Sequence, residues 1–256
     1  VSKEFKLCLE NVLPATPEEI WHAVATGPGN LGWLYPMEIE PWEGGVVSRG
    51  PCTVATWDPP RQFACRREDD EGFSMVLTYL VEDGSGDGST LRTTLHWVQE
   101  GDVDGGWDTR TDAATEHAHF FHHTLGQYLR YFNGRAATYV EVGAPASSTS
   151  AGAFSVVRRG LGLDGAVQGD VVAFAPPGAP LGAGVADAAV DYLSPHFIGL
   201  RTAETLYRFF GRNAWGGRVG MSLHAFGDPV DEGMEGKSWA GWLDDLFSSP
   251  SPGEQE

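Results

Sequence analysis

Two stretches roughly 130 residues apart repeat one pattern, and that repeat restricts the fold of this chain more than any other feature. Val54-Ala55-Thr56-Trp57-Asp58-Pro59-Pro60-Arg61-Gln62-Phe63 is echoed by Val190-Asp191-Tyr192-Leu193-Ser194-Pro195-His196-Phe197, and Leu91-Arg92-Thr93-Thr94-Leu95-His96 by Val219-Gly220-Met221-Ser222-Leu223-His224. The predicted elements around them follow the same order in both halves. A repeat this long denotes duplicated domains, because a solenoid recurs every 20–50 residues or so.

In the first half, Phe5–Leu13 alternates with period two over its first part and predicts a strand. Thr16 then offers an N-cap, Pro17 the first helical position, and Glu18 and Glu19 face the helix dipole, so Glu18–Ala25 predicts a helix. A second short helix is expected around Asn30–Leu34. Strands are expected at Gly45–Ser48, Thr53–Trp57, Gln62–Arg67, Phe73–Glu82 and Thr90–Gln99, with turn chemistry at Asp58-Pro59-Pro60, Asp83–Gly88 and Asp102–Gly106. Ala114, Ala118, Phe121, Leu125, Tyr128 and Phe132 recur at three and four residues, which predicts one long helix over Asp108–Phe132.

The second half reads as a shortened version. It has strands at Ala137–Val142, Asp170–Phe174, Ala188–Tyr192, Phe197–Arg201, Thr205–Phe210 and Arg218–Phe226, a helix over Ala153–Leu163, and a short closing helix, Ser238–Phe247. Gly143–Gly152 loosely replaces the first helix.

Of the 256 residues, 41% are hydrophobic, enough for packed cores. Lys and Arg number 17 against 35 Asp and Glu, a net charge of −18 that repels phosphate backbones and anionic lipid. Nucleic-acid and membrane-surface roles are therefore not expected. Cys8, Cys52 and Cys65 show no Cys-x-x-Cys spacing, and no apolar run is long enough to span a bilayer. The N-terminus lacks a basic-then-apolar leader pattern, so the expectation is a cytoplasmic protein with reduced thiols.

The run Leu13-Pro14-Ala15-Thr16-Pro17-Glu18-Glu19-Ile20-Trp21, the meandering strands and the long closing helix resemble the START-like (SRPBCC) superfamily. Within it they resemble the homologues of the activator of the 90-kDa heat-shock protein ATPase (AHSA-type). The resemblance implies an α+β chain of two tandem helix-grip domains, each a curved antiparallel sheet around a C-terminal helix with an apolar cavity between them. It implies boundaries at residues 1–135 and 136–248, the second copy shortened and divergent; the polar, proline-containing segment 249–256 reads as a flexible tail. A small hydrophobic ligand in the first cavity is the function implied first. A protein-interaction module of the chaperone-activator kind, contacting a protein partner, is the first alternative. A cyclase- or hydrolase-type enzyme using the cavity is the second. No cofactor is implied, and the chain is expected to be a monomer or homodimer.

Alternation along the strands nominates the cavity lining: Trp57, Phe63, Cys65, Met75, Leu77, Tyr79, Leu95 and Trp97, joined by Trp33 and, from the long helix, His117 and Phe121. Tyr79 and Trp97 offer polar tips. The same alternation turns His96 and His224 outward, away from the cavities. Among Glu116-His117-Ala118-His119-Phe120-Phe121-His122-His123, the His119/His123 pair shares a helix face opposite the apolar stripe. No further ligand cluster accompanies it, so no metal is expected. Tyr79 and His117 would be the acid–base pair of an enzyme. The sequence has no nucleophile elbow, phosphate loop or dinucleotide fingerprint.

Overall fold

Strand β1 (Lys3–Leu13) alternates half-buried and exposed side chains along almost its whole length, the pattern of a strand with one wet face. This is the opening element of a computed structural model that describes residues 2–48, 51–84, 88–101, 105–178 and 185–248. Helix α1 (Pro17–Ala25) starts with a capping box: Glu19 N donates to Thr16 Oγ1 at 3.3 Å, and Thr16 N donates to Glu19 Oε2 at 2.8 Å. The short helix after it, α2 (Gly27–Asn30), lies earlier than the expected Asn30–Leu34. Thr26 fixes its start by accepting the Gly29 amide at 3.1 Å, and only glycine fits at 29 because a Cβ there would strike the His22 carbonyl.

The remaining strands of the first sheet are β2 (Val46–Val47), β3 (Cys52–Asp58), β4 (Gln62–Glu68), β5 (Phe73–Asp83) and β6 (Ser89–Gln99). They pair antiparallel in the order β1-β6-β5-β4-β3-β2, so the first and last strands are neighbours. Helix α3 (Trp107–Tyr131) follows, with Phe120, His122, Thr124, Leu125, Tyr128 and Leu129 among its buried residues. This burial covers more of the helix than the single stripe expected from spacing.

The chain divides into two compact units, Val1–Ala137 and Thr138–Glu256. The second contains β7 (Thr138–Gly143), α4 (Ala153–Gly160), β8 (Val171–Phe174), β9 (Ala186–Leu193), β10 (Phe197–Arg201), β11 (Thr205–Phe210), β12 (Gly220–Ala225) and α5 (Glu232–Ser248). A 3-10 turn at Ala146–Thr149 occupies part of the Gly143–Gly152 segment. Its sheet runs β7-β12-β11-β10-β9-β8, the same connectivity as the first. The chain is thus α+β, with two six-stranded antiparallel sheets, each accompanied by helices.

The second copy is less shortened than the sequence suggested. Helix α5 has 17 residues and begins well before the expected Ser238. Gly233 and Gly236 hide its first turns from a propensity reading, but Asp231 caps them, with Met234 N donating to its Oδ1 at 3.0 Å. Trp239 of this helix has no solvent exposure, and its ring lies 5.7 Å from those of Tyr207 and Phe209.

His96 and His224 also part company. His96 Nε2 lies 2.8 Å from Glu4 Oε1 on the exposed face of the first sheet. In β12 every residue is buried, including His224, whose ring centre is 5.1 Å from that of Tyr139 on the neighbouring strand. The outward register holds for His224, but the wet outer face expected with it does not. Among the described residues no helix is long and apolar enough to cross a membrane. The expected turns at Asp83–Gly88 and Asp102–Gly106 fall partly, and the tail at 249–256 wholly, outside the described residues.

Candidate functional site

A cavity of about 320 Å³ lies between the inner face of the first sheet and helix α3. Register places its floor in rows. Leu7, Leu95, Leu77 and Cys65 face one another across four strands, as do Leu9, Thr93, Tyr79 and Phe63 in the next row. Trp97 and Met75 continue the floor, where Trp97 packs on Phe5 at 5.3 Å and Phe73 at 5.7 Å. The roof comes from α3, which presents Ala114, His117, Ala118, Phe121 and His122. The two alanines explain the space: at those positions on the sheet-facing side, larger aliphatic chains would close the gap to normal interior density. The end of α2 and the segment after it supply a third wall from Asn30, Trp33, Leu34, Tyr35 and Met37. Trp33 is held there by its indole N–H, which donates to the Ala23 carbonyl at 2.9 Å.

Trp33, Phe63, Met75, Leu77, Tyr79, Leu95, Trp97, His117 and Phe121 meet around this one space. Trp57 does not. It shares the inner face with Phe63, its partner across the β3–β4 pair, but its ring packs edge-on against Trp21 of α1 at 5.0 Å. Helix α1 covers that end of the sheet, so Trp57 is structural packing and not cavity wall.

Alternation missed Cys52. Counting back by twos from Trp57 turns Thr53 inward, but a bulge between Val54 and Thr56 shifts the phase by one. Val54 and Cys52 consequently face the interior, at 2% and 5% exposure, and Cys52 lines the cavity. His122 escapes the spacing argument because the three-and-four apolar stripe runs through Phe121. Asn11, a polar residue in the inward register of β1, was the available signal, since it pairs with His122 Nδ1 at 2.8 Å.

The polar groups in this wall are few and distinct. The Asn11 side-chain carbonyl accepts from His122, so Nδ1 carries the proton and Nε2 is the basic nitrogen of the neutral ring. Burial, reinforced by His119, pushes His122 down to about 4. In His117, Nδ1 donates to the Ala113 carbonyl at 2.8 Å, which fixes the same tautomer. Burial above all, then Tyr35 and Cys65 nearby, pushes the Tyr79 hydroxyl well above the ordinary phenol range. Tyr79 is therefore a hydrogen-bond donor and not a source of negative charge. Thr93 Oγ1 and Trp97 Nε1 are buried in the wall without a hydrogen-bond partner. Such orphaned groups are rare in folded proteins because each costs about 1–3 kcal/mol.

The two inward cysteines interact. Cys65 donates its S–H toward Cys52, and with Arg67 nearby this pulls the Cys52 thiol below its ordinary range despite burial. The same contact, together with burial, pushes Cys65 up. Cys8 stands apart, exposed on the outer face of β1. Among the described residues no three His, Cys, Asp or Glu side chains gather as a metal-ligand set. His119 is exposed, and His123 is half-buried.

No family model matches the chain, and no curated protein matches it. Several solved structures are similar to about half of it. Protein MLL2253 from Mesorhizobium loti is 18% identical with a TM-score of 0.40, covering 50% of this chain and 99% of its own. Protein BH1534 from Bacillus halodurans is 19% identical with a TM-score of 0.40, covering 48% and 96%. CalU16 from Micromonospora echinospora is 15% identical with a TM-score of 0.39, covering 49% and 74%. Similarity at this level carries no inference about activity.

Proposed function

We propose that the chain is a tandem of two helix-grip domains of the START-like (SRPBCC) kind, at residues 1–135 and 136–248. We further propose that the first binds a small, largely apolar molecule carrying a hydrogen-bond acceptor. One observation carries the reading: an apolar cavity of about 320 Å³ whose wall holds donors with nothing to bond, Thr93 Oγ1 and Trp97 Nε1. Apolar walls with a few convergent polar groups are the usual makeup of a small-molecule site. An acceptor on the ligand would relieve those donors, and its hydrocarbon body would fill the space left by Ala114 and Ala118. In the second domain a smaller space of about 230 Å³ lies beside Trp239 and Trp242, bordered by Gly160–Gly162 and Phe174.

Leu77→Phe and Leu95→Phe project a ring into the empty volume, so they occupy the ligand's place at modest cost to packing. Calorimetric titration with benzylacetone, an apolar ketone, should show saturable binding to the native chain and at least a ten-fold weaker association in either variant, on the order of 1.4 kcal/mol. Near-UV circular dichroism checks that both variants keep native packing. Undiminished binding in both would place the ligand elsewhere and remove the reading.

The enzyme alternative retains one favourable fact, that His117 and Tyr79 line the same cavity. Turnover of a bound ketone or ester, abolished by Tyr79→Phe with binding retained, would move the reading from carrier to catalyst.

A further inference from the structure

Resting on the cavity-binding reading, we propose that Cys52 is a nucleophile that captures electrophilic ligands of the α,β-unsaturated ketone class, with Tyr79 polarising the carbonyl. Four observations meet at this wall. Cys52 and Cys65 both line the cavity and both are free thiols, each at most 6% exposed. Register pairs Cys65 with Val54 and Arg66 with Thr53, so Cys52 sits two positions further along on the same face, diagonal to Cys65. Diagonal neighbours in an antiparallel sheet lie about 7–8 Å apart at Cα, beyond the roughly 4.4–6.8 Å a disulfide spans. The pair can share a proton but is poorly placed to oxidise to a bridge, which preserves a usable thiolate.

Arg67, from β4, has a guanidinium that meets Asp69 Oδ2 at 3.7 Å through Nη2 while its buried Nε–H has no hydrogen-bond partner, and its charge favours an anionic sulfur at Cys52. Tyr79, 7% exposed, faces the same space and lies near enough to Cys65 for that thiol to help raise its hydroxyl. No described residue hydrogen-bonds its hydroxyl, which leaves that donor available to a ligand. A thiol beside a second thiol and a guanidinium, a phenol donor on the same cavity wall and apolar side chains around them form an arrangement suited to conjugate addition.

The step balances without an oxidant or reductant. Cys52 Sγ gives an electron pair to the β-carbon and forms a C–S bond. The C=C pair shifts to give an enolate, whose oxygen accepts from the Tyr79 hydroxyl. The proton released from the thiol ends on the α-carbon. The product is a thioether of the saturated ketone, the net addition of S–H across the double bond.

Benzylideneacetone tests this in the native chain, with benzylacetone as the same skeleton lacking the double bond. After reaction at neutral pH, peptide mass mapping reads adducts at Cys52, Cys65 and the exposed Cys8. A lowered thiol gains in thiolate fraction but loses part of that gain in intrinsic nucleophilicity, so ionisation alone is worth only a few-fold. Binding next to the sulfur supplies the rest, and Cys52 should be modified at least about ten-fold faster than Cys8. Its rate should saturate with probe concentration and fall when benzylacetone is added. Tyr79→Phe should slow the Cys52 reaction while the Cys8 rate stays the same. If benzylacetone binds and Cys52 reacts no faster than Cys8, or reacts without saturation, the nucleophile is refuted and the binding cavity stands. If benzylacetone does not bind and Cys52 stays unmodified, both readings fall.

Discussion

Acidification should loosen the first unit through one side chain, His122. This imidazole is 6% exposed and sits between helix α3 and strand β1, its Nδ1–H held by Asn11. Burial, with His119 adding repulsion, lowers it from 6.5 to about 4 in the folded chain. The unfolded chain therefore binds the proton more readily, and stability rises with pH wherever that difference is felt. The contribution is complete above about pH 6.5 and is lost as pH falls toward 4. At about 1.4 kcal/mol per unit, the full span amounts to roughly 3 kcal/mol, and about 2 kcal/mol of it is gone by pH 5. Hydrogen exchange read by mass spectrometry on peptides from β1 and α3 measures this locally, without requiring the two units to unfold together. His122→Gln keeps a polar side chain but cannot titrate, so the loss between pH 7 and pH 5 should shrink in that variant by about the same 2 kcal/mol. A direct NMR titration should place the His122 midpoint far below that of an ordinary histidine. A midpoint near 6.5, or identical pH slopes in the native chain and the variant, would refute the reasoning.

Two further outcomes follow from local geometry. Thr16→Ala removes one half of the capping box and should cost about 1 kcal/mol, seen as faster amide exchange at the start of α1; no change there would mean the box adds nothing. In the second unit Arg208 and Asp191 form an ion pair at 3.1 Å with side chains 1% and 4% exposed, so Arg208→Met should destabilise by about 3–5 kcal/mol in urea unfolding. Adding Asp191→Leu should restore most of that loss, because the main penalty comes from the carboxylate left behind; an uncorrected double variant would contradict this.

The elements themselves were legible in the sequence because they depend on local chemistry. Period-two alternation in β1, the Thr16–Glu19 box and the three-and-four spacing of α3 each report on neighbours along the chain, and the strand positions follow within a residue or two. Glycines concealed the first turns of α5 because propensity registers their cost and not the Asp231 cap that offsets it. The matching strand orders likewise extend what the repeat implied, since duplicated sequence carries duplicated connectivity.

The site was only half legible. Alternation can say that Leu77, Tyr79 and Leu95 face inward, but not whether anything fills the space opposite them. That was decided by α3 placing Ala114 and Ala118 over the floor, while α1 covered the end where Trp57 sits. A single bulge in β3 reversed the side on which Cys52 lies, and a polar pair across two elements, Asn11 and His122, was invisible to a reading of either element alone. The sequence by itself determined which strands and helices form and in what order, because those choices are governed by residues within a few positions of one another. Tertiary structure alone decided which inward side chains surround empty space and which thiols meet, because an extra residue in one strand or a small residue on a distant helix changes the neighbours without changing the pattern.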